Sequence, residues 1–84
     1  MKPSDYQVID LKHAFEPIAM LTISKTLREM TRGQTIELRI YDSGLLNNIN
    51  RLFKVFSSRL IKQEIHLSQE SCWRLIIQPI QKEI

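Results

Sequence analysis

Apolar residues along this chain change their period several times, and each change predicts an element. Residues 6–11 form a short β-type run. Pro17 follows Glu16 in the arrangement favoured at a first helical position, where the N–H that proline lacks has no partner to lose. Beyond it Met20, Ile23, Leu27 and Met30 recur at steps of three and four with Ala19 beside them, one apolar stripe facing a core. That helix must stop by Gly33, whose freedom at positive φ makes it the expected terminator. Ile36, Leu38 and Ile40 then alternate with Thr35, Glu37, Arg39 and Tyr41, the period of a strand buried on one face, which leaves the other face wet.

Asp42 or Ser43 is placed to cap a second helix, with Leu45, Ile49, Leu52, Phe53 and Phe56 turned inward and Asn47, Asn48, Arg51 and Lys54 turned elsewhere. Residues 60–67 read as a strand, 68–71 as a turn and 72–80 as a last strand. In that strand Trp73, Leu75 and Ile77 share one face, and Cys72, Arg74 and Gln78 share the other. The predicted order is β-α-β-α-β-β, an α/β two-layer sandwich of the α+β class. Right-handed crossovers put its two helices on one face of a four-stranded mixed sheet.

Length and composition narrow the class. Eighty-four residues support one hydrophobic core, so a single domain over 1–84 is expected, with an ordered core of about residues 6–80. Hydrophobic residues at 43% and charged residues at 25% are ordinary globular values and argue against disorder. The single cysteine, Cys72, excludes an intramolecular disulfide and a cysteine-cluster metal site. Lys2, Asp5 and Asp10 interrupt the N-terminal stretch, so neither a signal peptide nor a membrane span is read there, and the cytoplasm is the expected compartment. A net charge of +3 is a mild excess and weak evidence for nucleic acid.

The motif positions add a resemblance. A hydrophobic-Asp pair at Ile9-Asp10, a proline at Pro17 opening a helix, a stripe through Leu27 and Met30, a helix exit at Gly33-Gln34 and an aspartate after a strand at Asp42 stand in order, without a gap between Asp10 and Asp42. In these respects residues 8–78 resemble the TusA-like, or SirA-like, family of small sulfur carriers. His13 stands where that family has a glycine, Glu16 where it has the sulfur-bearing cysteine of its Cys-Pro-x-Pro motif, and Ala19 where it has the second proline.

The resemblance implies a cysteine that accepts a persulfide sulfur from a donor and passes it on, for instance towards tRNA thiolation. A thiol at a helix N-terminus is suited to that task, because unsatisfied N–H groups and the dipole stabilise thiolate and persulfide anions. Glu16 keeps the negative charge, worth a few tenths to about 1 kcal/mol when exposed, but has no sulfur to exchange. The first expectation is therefore a non-catalytic binding or regulatory module on a sulfur-carrier scaffold, with a protein partner from sulfur relay or tRNA modification. Its motif-equivalent and partner-binding residues are Glu16, Pro17, Asp10, His13, Ile18, Leu21 and Asp42; Ile18 and Leu21 fall off the inward stripe and so form an exposed apolar patch near Glu16. The alternative is a divergent sulfur carrier that uses Cys72 or a partner's cysteine.

Lys25, Arg28 and Arg32 follow each other at helical steps on the first helix, and Arg51 and Lys54 lie on the second. Together they suit a basic surface for RNA or an acidic protein, and they equally suit a solvated helix face. No aromatic residue interleaves with them to stack on bases. His13 and His66 lie on different elements without a ligand pair at metal spacing, so no metal and no cofactor are expected. No nucleophile-base pair, phosphate-binding glycine loop or zinc motif is present, and no catalytic residue is assigned.

Overall fold

A computed structural model describes residues 5–80. It contains β1 (Tyr6–Asp10), α1 (Glu16–Arg28), β2 (Thr35–Ile40), α2 (Ser43–Phe53), β3 (Leu60–Leu67) and β4 (Cys72–Pro79), with short 3-10 turns at Lys54–Phe56 and Ser68–Glu70. The strands form one mixed sheet in the order β1-β2-β4-β3. β1 and β2 run parallel, Tyr6 opposite Thr35, while β4 lies antiparallel to both β2 and β3. This is the expected α+β sandwich.

The parallel relation fixes where the helices point. β1, β2 and β3 all run the same way, so α1 and α2, which return the chain between them, run parallel to each other and against those strands. Both helices therefore begin at the end where β1 and β2 finish, and both finish where β1, β2 and β3 begin. Residues far apart in sequence are gathered at these two ends.

Burial follows the two periods. Ala19, Ile23 and Leu27 from α1 and Leu45, Leu46, Ile49 and Phe53 from α2 close over Leu38, Ile40, Leu75 and Ile77 of the sheet. Fully burying one such side chain is worth about 1.5–3 kcal/mol, so the alternation in β2 and β4 decides which sheet face meets the helices. α2 starts as predicted, with Asp42 Oδ2 accepting from Leu45 N–H at 2.8 Å.

Several boundaries differ from the sequence expectation. α1 ends at Arg28, where Glu29 N–H donates to Lys25 O at 3.1 Å, and Met30 is buried from the following turn. Gly33 is thus no helix terminator. It sits in a tight turn closed by Gln34 N–H donating to Thr31 O, with φ at +90°, and that turn feeds β2. Arg32 leaves the helix with it. In α2 the inward stripe includes Leu46, and Phe56 reaches the core from the 3-10 turn after the helix. Leu52 is only partly buried against that core.

Candidate functional site

Glu16 is the first residue of α1 and Pro17 follows in its first turn. Phe15 provides the N-cap in an extended conformation with no side-chain cap, and its carbonyl accepts from Ala19 N–H at 2.9 Å. The Glu16 carboxylate is oriented from outside its own helix, because Asn48 Nδ2 of α2 donates to its Oε1. Parallel helices bring the second turn of α2 beside the first turn of α1. No local sequence signal marks Asn48 for that role.

The Glu16 carboxylate thus lies on the side of α1 that faces α2, in line with Ala19 one turn on, and a separate apolar patch is exposed on the outer side of the same helix start. Phe15, Ile18 and Leu21 are 68%, 62% and 73% exposed. Ile18 and Leu21 lie three residues apart on the outer side of α1, opposite the buried Ala19, Ile23 and Leu27. Continued in steps of four and three, the same outer line reaches the exposed Lys25 and Arg28. Phe15 was not singled out from sequence, since a residue just before a helix start carries no periodicity to judge it by.

Two other motif-equivalent residues, Asp10 and Asp42, serve the scaffold. Asp10, at the end of β1, accepts from Lys12 N–H at 2.9 Å through Oδ1 and from the Tyr41 hydroxyl at 3.2 Å through Oδ2, tying the chain after β1 to the chain after β2. Loss of solvent around the Tyr41 hydroxyl, its bond to Asp10, and the nearby Cys72 hold its pKa above the ordinary phenol range. The Asp42 carboxylate is occupied by the α2 cap. His13 is exposed beside Lys12 in the segment between β1 and α1.

Cys72 lies on the sheet face turned away from the helices, as strand parity predicts, yet it is only 1% exposed. Its Sγ contacts its neighbour's carbonyl, Trp73 O, at 3.6 Å. Trp73, on the helix side, stacks with His66 at a ring-centroid distance of 5.0 Å and an interplanar angle of 14°. Among the described residues no group of three or more His, Cys, Asp or Glu side chains is placed to hold a metal ion.

The helix-free sheet face is not uniformly wet either. Glu37 was expected to be solvated by its alternation in β2, but it is 5% exposed. The Tyr6 hydroxyl donates to its Oε1, Arg39 Nε lies 2.7 Å from its Oε2, and Arg74 Nε lies 3.7 Å from that same oxygen. These long side chains from β1, β2 and β4 close over the carboxylate and exclude water. Hydrogen bonds from Tyr6 and Arg39 hold the Glu37 pKa below the usual carboxylate value, against the opposing effect of burial, and the same contact raises that of Tyr6. The cluster depends on cross-strand register, which alternation alone does not reveal.

The predicted basic residues are exposed and gather where the helices end. Lys25 and Arg28 are in the last turn of α1, Arg51 is in the last turn of α2 and Lys54 follows it. Arg32 belongs to the loop before β2 rather than to the helix face assigned from sequence, and Arg59, not anticipated, precedes β3 at the same end. Among the described residues no helix is long and apolar enough to cross a membrane. Compared with models of known protein families, with curated protein sequences and with solved structures, the chain matches none.

Proposed function

We propose that this protein is a non-catalytic binding module, built on a scaffold like that of the TusA-like sulfur carriers, which engages a protein partner through the start of α1. The observation that carries the reading is the outer side of α1. A surface helix ordinarily confines its large apolar residues to the buried stripe, whereas here Ile18 and Leu21, with Phe15 at the N-cap, remain exposed on the outer side, and the Glu16 carboxylate is held at the same helix start on the side facing α2. A partner offering an apolar surface and a cation facing Glu16 complements that arrangement, because burying the patch is favourable and the charge sets orientation.

The order of motif positions supports the family likeness, and the replacement of the motif cysteine by Glu16 supports a binding role over sulfur transfer. Cys72 is poorly suited to the alternative, since a persulfide must be presented to both donor and acceptor and this thiol is buried on the opposite face of the sheet. A component of sulfur relay or tRNA modification is the partner class consistent with the likeness.

Affinity capture from a lysate, followed by direct titration of the captured partner, tests the reading with three proteins: wild type, Glu16→Lys and Leu21→Ser. Leu21 is so exposed that its replacement should change stability by no more than about 0.5 kcal/mol, so any loss of binding reports the interface. Both variants should weaken the wild-type partner at least tenfold. A partner retained unchanged by both would overturn the proposal.

A further inference from the structure

The fold collects a second surface at the opposite end of the helices. Lys25, Arg28, Arg32, Arg51, Lys54 and Arg59 are all exposed there. The carboxylates at that end, among the described residues, are Asp5 and Glu29. None of the six cations forms an ion pair among the described residues, for the ion pairs of the domain centre on Glu37. The other end carries Asp10, Glu16, Asp42 and Glu70 against Lys12, with Arg39 and Arg74, level with Asp10 in the sheet, turned to Glu37. A modest net charge therefore conceals a strongly polarised molecule.

Helix C-termini attract cations, and this accounts for Lys25, Arg28, Arg51 and Lys54. It does not account for Arg32 and Arg59, which stand in the connections beyond the helices where the dipole has faded. We infer that this basic end is a binding surface for the phosphate backbone of a nucleic acid. Four of the six cations are arginines, whose planar donors match phosphate oxygens. Among the helix-end cations the large apolar side chain left exposed is Val55; of the others exposed at this end, Tyr6 and Ile61 belong to the helix-free sheet face and Ile80 follows β4. An acidic protein partner would need desolvated apolar or aromatic anchors at the centre of its interface. A phosphate backbone needs only accessible positive charge. Among the described residues the exposed aromatic at this end is Tyr6, which is bonded to Glu37 on the helix-free face, so no stacking group stands among the cations and the binding is indifferent to base sequence. The surface shares none of the partner-binding residues proposed around Glu16, so each proposal stands or falls alone.

Fluorescence anisotropy with a labelled single-stranded RNA 20-mer and a labelled DNA duplex, across a salt series, provides the test. Affinity should fall with salt at a log-log slope between about −3 and −5, as expected when four to six phosphates lose their counterions. Two variants of equal net charge separate location from total charge. Arg28→Gln combined with Lys54→Gln should weaken binding about tenfold and flatten the slope by about 1.5, whereas Lys12→Glu, at the other end, should stay within about twofold after allowing for long-range charge. Circular dichroism confirms that each variant is folded. Equal weakening by both variants, no salt-dependent binding of either nucleic acid, or displacement by polyglutamate at concentrations where excess unlabelled RNA fails to compete would each overturn the inference.

Discussion

Glu37 shows how much a single side chain depends on its neighbours. A carboxylate removed from water is costly unless paired and hydrogen-bonded, and here Tyr6, Arg39 and Arg74 supply those partners from three strands. Because the Glu37 pKa is lowered in the folded protein, its contribution is present above the unfolded value and is lost as pH falls through the folded one. Tyr6 has the opposite sign, since a raised pKa stabilises the fold below the ordinary phenol value and that gain disappears as pH rises through the folded one. Thermal unfolding followed by circular dichroism should therefore show a plateau across neutral pH, a fall below about pH 4.5 and another above about pH 10. Glu37→Gln should lower stability at pH 7 by about 1–2 kcal/mol, a charged hydrogen bond discounted for partly exposed arginines. It should also reduce the acid-side fall, and an unchanged acid limb would show that other carboxylates govern it.

At the scale of elements, the two helices solve the same problem differently. α2 segregates its apolar residues onto one side and closes its N-terminus with Asp42. Asp42→Ala should cost about 1 kcal/mol, or roughly 4–8 °C in the melting temperature of a domain this size, while Asp42→Asn should retain most of the stability. Equal melting curves for wild type and Asp42→Ala would show that the cap contributes nothing. α1 lacks a side-chain cap, relies on Pro17 for a preset first turn and spreads its apolar residues around its axis. The contrast was legible in part. Ile18 and Leu21 miss the inward stripe on spacing alone, and Asp42 is recognisable as a cap from its place before a periodic run. The end of α1 was not legible, because Met30 keeps the helical step while burying itself from the turn after the helix, and Gly33 suits a tight turn as well as a helix exit.

Across the whole molecule, the parallel helices create two chemically different ends from one chain. The α1 start combines exposed apolar groups with a carboxylate, and the helix ends collect exposed cations that form no ion pair among the described residues. Two independent surfaces should respond to mutation independently, since sites without shared partners are close to additive. Leu21→Ser should thus leave RNA affinity within about twofold of wild type, and the paired Arg28→Gln, Lys54→Gln change should leave the protein partner's affinity within the same limit when measured at high salt. Cross-sensitivity of both ligands to both changes would indicate one continuous surface along the outer side of α1.

The order of elements, the composition of the core and the position of Glu16 at a helix start were determined by the sequence itself, because period, proline placement and capping act over a few neighbouring residues. Three features were decided only in three dimensions: Asn48 beside Glu16, the burial of Glu37 and Cys72 on a face whose alternation marks it as solvent-facing, and the union of Arg32 and Arg59 with the helix-end cations. Each depends on which strands lie adjacent and in what register. Those relations arise from long-range packing, and no window of local sequence contains them.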